Sequence, residues 1–219
     1  IIRNTAENFA HVSLELGGKS PMLIFDDCDI EGAVNGVIAG NFGASGQSCV
    51  AGSRVFVQKS IHAEMVAQVS ERAKMIVIGD PLDSKTQVGP LATEQQVDRA
   101  YNVITESIEQ GAKLIFGGKK PHNMHEGNYF EPTLLDCPDQ SIACTRTEFF
   151  APVMSIIPFE TEDDAIRMAN DSEFGLGAGV FTQNLARAHR VSQKIHSGIV
   201  WVNTYRAISP ISPFGGFKN

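Results

Sequence analysis

Apolar residues along this 219-residue chain follow two alternating patterns, short unbroken runs and stripes with helical spacing. The run SPMLIF at 20–25 stands between GGK and DDCD and predicts a strand. After Asp29, suited to cap a helix, Ile30, Ala33, Val34, Val37 and Ile38 recur with a helix's period. RVFVQ at 54–58 is β-branched and aromatic, as strands are. Met65, Val66, Val69 and Ala73 mark a second helix over about 60–77, with Ser60 near its start. Thr93 and Gln96 make a capping box for a third, with Val97, Ala100, Tyr101 and Ile104 as its stripe and Gly111 as its stop.

The same alternation runs to the end of the chain. AKLIFGG predicts a strand, and YFEPTLL an extended segment in which Pro132 points to an edge or an irregular end. PVMSIIPF predicts a buried strand. Thr161 followed by EDDAIRMAN opens a helix whose first-turn acids suit the helix dipole. LGAGVF, a helix at 184–197 closed by Gly198, and IVWVN complete the series. Strands separated by helices imply βαβ units. The expected fold class is therefore α/β, a mainly parallel sheet with flanking helices.

Composition narrows the function classes. The chain is 42% hydrophobic and 20% charged, enough for a sizeable core without cross-links. A net charge of −7 with interspersed signs argues against nucleic acid or an anionic membrane as partner. No apolar run has transmembrane length. Cys28, Cys49, Cys137 and Cys144 show neither a C-x-x-C pair nor ligand spacing with histidine. The expectation is reduced thiols, a cytoplasmic setting and no metal.

One thiol stands in unusual company. Cys49 lies in GASGQSCVAGSR, flanked by small residues on both sides. Gly43 and Gly46 permit close backbone approach, which a substrate carbonyl and backbone oxyanion donors both require. The same turn also suits a small cysteine packed for size. In VSLELGGKSP, strand alternation places Val12, Leu14 and Leu16 on one face and Ser13 and Glu15 on the other. Glu15 is then either solvated on an open face or partly buried as a general base.

Together LELGGK and GQSC resemble the aldehyde dehydrogenase superfamily, with Glu15 lying 34 residues before Cys49. TEFFAPV, FGLGAGVF and WVNTYRAISPISPFGGFK resemble later motifs of that family, in order along the chain. The resemblance implies the catalytic-domain fold of an aldehyde dehydrogenase and oxidation of an aldehyde to an acid. Cys49 would be the nucleophile, Glu15 the base that hydrolyses the thioester, and the Cys49 backbone N–H an oxyanion donor. It also implies NAD or NADP as cofactor, contacted by Glu148, Phe150, Gln96 and Gly17, with Arg99 nearby. Gly43, Ile208, Phe214 and Asn203 would shape the substrate pocket. Gln96 reads equally as a capping residue, and Phe150 and Phe214 as core aromatics.

Departures from the family pattern concern the pocket. Ala44 stands where asparagine is common, Gly43 where an aromatic often lines the tunnel, and Ala151 where glycine is usual. Ile208 replaces an aromatic found in some members. A roomier or differently shaped aldehyde pocket is the expectation. The sequence has no strand–glycine–helix dinucleotide fingerprint. The resemblance implies that a cofactor domain lies mostly upstream, with residues 1–17 as its tail and residues 18–219 as the catalytic domain. The chain alone is expected to be inactive and to bind NAD+ weakly, the parent protein being a homodimer or homotetramer. Two alternatives remain: a CoA-acylating aldehyde dehydrogenase, or a non-catalytic binding domain on the same scaffold. A cysteine hydrolase would need a histidine beside the thiol.

Overall fold

The computed structural model describes residues 1–124 and 126–218; His125 and Asn219 lie outside them. Nine strands are present among the described residues: β1 (Pro21–Ile24), β2 (Arg54–Gln58), β3 (Lys113–Phe116), β4 (Thr133–Asp136), β5 (Val153–Phe159), β6 (Phe174–Gly175), β7 (Gly177–Phe181), β8 (Ile199–Val202) and β9 (Phe217–Lys218). Seven form one sheet in the order β3-β4-β5-β2-β1-β7-β8. Every pairing in it is parallel except β3 with β4, so the sheet is mainly parallel with one antiparallel edge. β6 and β9 pair separately, antiparallel.

Helices cover both faces, which is why the central strands read as unbroken apolar runs. On one face α2 (Ile30–Phe42) and α3 (His62–Lys74) pack on Met22, Ile24, Val55, Val57 and Ile156. On the other, α4 (Glu94–Glu109), α6 (Glu162–Asn170) and α7 (Leu185–Lys194) meet Leu23, Phe25, Phe56 and Ile157. Two short helices, α1 (Ile2–Thr5) and α5 (Ala143–Arg146), complete the set. Both α4 and α6 begin with full capping boxes, Thr93 with Gln96 and Thr161 with Asp164. No helix among the described residues is long and apolar enough to cross a membrane.

Four local expectations change. Residues 10–20 form no strand, because no neighbouring segment hydrogen-bonds along them; Val12, Glu15 and Leu16 are exposed. Pro132 directly precedes β4, an irregular start, but β4 lies inside the sheet between β3 and β5. Tyr101, assigned to the buried stripe of α4, is exposed, while Ser107 is buried there. α7 ends at Lys194 rather than at 197. Gly198 serves another purpose: a Cβ there would lie 1.8 Å from the carbonyl oxygen of Gly215.

Candidate functional site

Segments that enter the parallel strands converge at one end of the sheet. Residues 17–20 lead into β1, the Cys49 turn into β2, Glu148 to Pro152 into β5, and Leu176 into β7. The candidate site thus lies at the amino-terminal ends of the strands, opposite to the usual crevice of open α/β sheets.

Small residues let these segments touch. A Cβ on Gly18 would lie 2.2 Å from the Cys49 carbonyl oxygen, and one on Gly46 2.3 Å from the Ala151 carbonyl. A Cβ on Gly17 would lie 2.4 Å from the Glu148 carboxylate, which accepts a 3.0 Å hydrogen bond from the Gly18 N–H. Ala44, Ser45 and Gly46 are left-handed in succession, with φ of 55°, 56° and 70°. For Ala44 and Ser45 that conformation costs on the order of 1–3 kcal/mol each. It is held from outside: the Ser45 hydroxyl bonds both the N–H and the carbonyl of Gly89 at 3.0 Å. Gln47 reaches the Ala92 N–H at 2.9 Å and the Pro90 carbonyl at 3.4 Å.

Arg206, which adjoins Gly43, and Phe150, next to the Ala151 that touches Gly46, also have positive φ.

Cys49 itself is half-buried and packs with Phe214 and Tyr205 against Val50, Leu176 and Trp201. Partial burial pushes its thiol above the ordinary cysteine value, and the Glu15 carboxylate pushes it further, with Glu148 adding to this. The backbone N–H groups of Val50 and Cys49 act in the opposite sense. The net effect is a thiol raised above its ordinary value. Glu15 is exposed on the segment before Gly17, and its charge acts on Cys49 across 34 residues of sequence.

The other expected residues divide. Glu148 is half-buried at the mouth of the Gly17–Gly18 contact, and the Phe150 ring beside it is 38% exposed. Gln96 accepts from the Thr93 N–H at 3.0 Å and donates to the Phe150 carbonyl at 3.3 Å, so its amide is committed on both sides. Gly43 adjoins Arg206, and Phe214 packs on the same Val50–Leu176–Trp201 cluster as Cys49. Asn203 spends its amide on Thr182, accepting at 3.0 Å and donating at 2.9 Å, like an extra rung after β8. Ile208 is 58% exposed on the loop beyond. Arg99 is exposed on α4.

Several residues around this site escaped sequence reasoning. Tyr205 lies against Gly40, Gly52 and Gly179, and its hydroxyl donates to the Val50 carbonyl at 2.9 Å. Burial pushes its phenol well above the ordinary value. Lys19 is 1% exposed; its ammonium has no hydrogen-bond partner among the described residues and lies 4.4 Å from the Phe149 ring centroid. Burial lowers it to about 7, against the opposing pull of Cys144. The sulfurs of Cys144 and Cys137, both buried, are 3.4 Å apart. Arg54, 1% exposed, donates to the carbonyls of Lys19, Met168 and Ala169 at 2.8, 3.1 and 2.9 Å. The signal for both cations was a single charge inside an otherwise small or apolar run.

The aldehyde dehydrogenase family model matches residues 1–219. The chain belongs to the aldehyde dehydrogenase family. It is 51% identical over 218 residues to an Acinetobacter baylyi protein named (Z)-2-((N-methylformamido)methylene)-5-hydroxybutyrolactone dehydrogenase, covering 99% of this chain and 44% of that one. It is 45% identical to betaine aldehyde dehydrogenase 1 of Rhizobium meliloti, over 97% of this chain and 44% of the relative. The structure of Staphylococcus aureus betaine aldehyde dehydrogenase in complex with NAD+ superposes with a TM-score of 0.94 at 37% identity, covering 99% of this chain and 43% of that one. The chain thus spans less than half the length of these family members.

Proposed function

We propose that the protein containing this chain oxidises an aldehyde to a carboxylic acid with NAD(P)+. Cys49 attacks the aldehyde carbon: its thiol proton passes to solvent water, a C–S bond forms, and the carbonyl oxygen becomes the alkoxide of a thiohemiacetal. The Cys49 backbone N–H supports that oxygen. Loss of hydride from the same carbon leaves a thioester on Cys49. When bound, NAD(P)+ supplies the hydride acceptor. Glu15 takes a proton from water, whose oxygen attacks the thioester; the acid leaves and the thiol is restored.

The observation that carries this reading is the backbone contact of Gly18 with the Cys49 carbonyl, which brings the segment bearing Glu15 onto the Cys49 turn, where its negative charge raises the thiol. A negative charge there opposes resting thiolate, as expected of a group placed to serve a later hydrolytic step rather than to activate the sulfur. A CoA-acylating enzyme needs no such base.

The residues present fit the nicotinamide end of a dinucleotide. Glu148 offers an acceptor for ribose hydroxyls, steadied by the Gly18 N–H. Phe150 offers a partly exposed ring, and Gly17 leaves no side chain between. Gln96 acts through the Phe150 carbonyl that it holds. In this reading residues 1–17 end a cofactor domain and residues 18–219 form the catalytic domain. In support, α1 and the turn after it bury no residue, and continuous burial begins at Gly18. The dinucleotide is then bound mainly by the other domain, and the whole protein assembles as a homodimer or homotetramer.

Product analysis of the full-length protein with aldehyde and NAD+, with and without CoA, tests the reaction. Free acid is expected in both cases; acyl-CoA would replace the hydrolytic reading with the acylating one. For residues 1–219 alone, calorimetric titration is expected to show no micromolar NAD+ binding, and such binding would overturn the division of labour between domains.

A further inference from the structure

We infer that Arg206 selects the substrate, and that the aldehydes this site takes carry a carboxylate. The inference rests on the reading of Cys49 as the aldehyde-attacking nucleophile.

The placement of Arg206 is built from its neighbours. Tyr205 is fixed by the Val50 carbonyl, by the tilted Trp201 ring at 4.8 Å, and by the glycines around it. A φ of 62° at Arg206 then turns the chain, a conformation that non-glycine residues keep only when their surroundings impose it. The guanidinium comes back to Gly43, with Nη1 2.8 Å from the point that a Cβ there would occupy. Arg206 therefore fills the space of a side chain at 43, at the start of the turn that carries Cys49 six residues later.

Its charge is unspent. Arg72, Arg146, Arg167, Arg187 and Arg190 each meet a carboxylate, and Arg54 is consumed by three carbonyls; Arg3 and Arg99 have no such partner either, but both are exposed. Among the described residues, Arg206 has no carboxylate within 4.0 Å and no hydrogen bond, although it is half-buried. A partly desolvated guanidinium favours an anionic partner, and its planar fork matches a carboxylate. The field at the site has a direction. Glu15 and Glu148 are the carboxylates that act on the Cys49 sulfur, whereas the cation lies at Gly43. A substrate carboxylate is repelled from the first end and held at the second, which points its aldehyde toward Cys49. A quaternary ammonium aldehyde meets the opposite field.

The test compares succinate semialdehyde, pentanal and betaine aldehyde on the full-length protein and its Arg206→Gln and Arg206→Lys variants. For the wild type, kcat/KM for succinate semialdehyde should exceed that for pentanal by about 10-fold or more, the range of one charge-assisted contact. Betaine aldehyde should be the poorest of the three. Arg206→Gln should collapse the anion-to-neutral ratio by raising KM for the anionic aldehyde, and Arg206→Lys should keep part of it. Added salt should raise KM for the anion and leave KM for pentanal in place. A wild-type ratio near one, or a ratio that survives Arg206→Gln, overturns the inference while pentanal turnover leaves the aldehyde reading standing. Failure to oxidise any of the three overturns both.

Discussion

Gly18 lies so close to Cys49 that a Cβ on its backbone would stand 2.2 Å from the Cys49 carbonyl oxygen. The segment that carries Glu15 and the turn that carries Cys49 are thus joined through backbone contact, with the Gly18 N–H also on Glu148. Replacing Gly18 by alanine must displace the turn. Overpacking of this kind costs about 1–3 kcal/mol, so a melting temperature several degrees lower is expected. Alkylation of Cys49 should change in rate at the same time. An unchanged melt together with unchanged labelling would show that the turn has slack the distance denies.

Glu15 acts on Cys49 in two separable ways. As a charge, it raises the thiol, so Glu15→Gln should shift the pH profile of Cys49 alkylation toward lower pH and speed labelling near neutrality. As the proposed base, its loss should leave the first turnover of NADH intact and cut steady-state turnover by roughly 100-fold or more. Rapid-quench and steady-state assays separate the two. A variant with a full steady-state rate excludes the base assignment.

Gln96 is expected to position rather than touch. Gln96→Glu keeps the acceptor for the Thr93 N–H but loses the donor to the Phe150 carbonyl. Stability should stay within about 0.5 kcal/mol, while Gln96→Met, losing both, should cost about 1 kcal/mol, as cap removal does. Both variants should raise the KM for NAD+ by displacing Phe150. Equal melts and an unchanged KM would restrict Gln96 to the surface of α4.

Lys19 makes stability depend on pH. Burial lowers its folded value to about 7 from an ordinary 10.5. Between those values the unfolded chain binds a proton that the folded chain does not, so this group makes stability rise with pH through that window. Below pH 7 both states are charged and its burial penalty is fully present. Lys19→Met should remove the slope, at most about 1.4 kcal/mol per pH unit, in urea melts run from pH 7 to 10. Parallel wild-type and variant slopes would mean that the Phe149 ring and Cys144 hold the ammonium charged.

Legibility differed between fold and site for physical reasons. Strands buried on both faces must be apolar throughout, so PMLI, RVFVQ and VMSIIPF announced themselves, and capping boxes at Thr93 and Thr161 placed two helices by local chemistry alone. The segment at 10–20 misled because alternation describes a side-chain pattern, while a strand also needs a partner. Of the two readings of Pro132 the irregular end holds and the edge does not: it lies one residue outside the ladder of β4, where its missing N–H costs nothing.

What the sequence determined by itself was the α/β alternation, the mainly parallel sheet, and the small residues that let backbones approach around Cys49. Local spacing and burial are enough for these. Tertiary structure alone decided that Glu148 meets Gly18, Gln96 meets Phe150 and Arg206 meets Gly43. The parallel crossover order sets the entries to β1, β2 and β5 side by side, and the start of α4 and the loop after β8 fold back onto them. The thiol's raised value, the unspent charge of Arg206 and the burial of Lys19 follow from that arrangement, because desolvation and Coulomb fields depend on position in space and not on sequence neighbours.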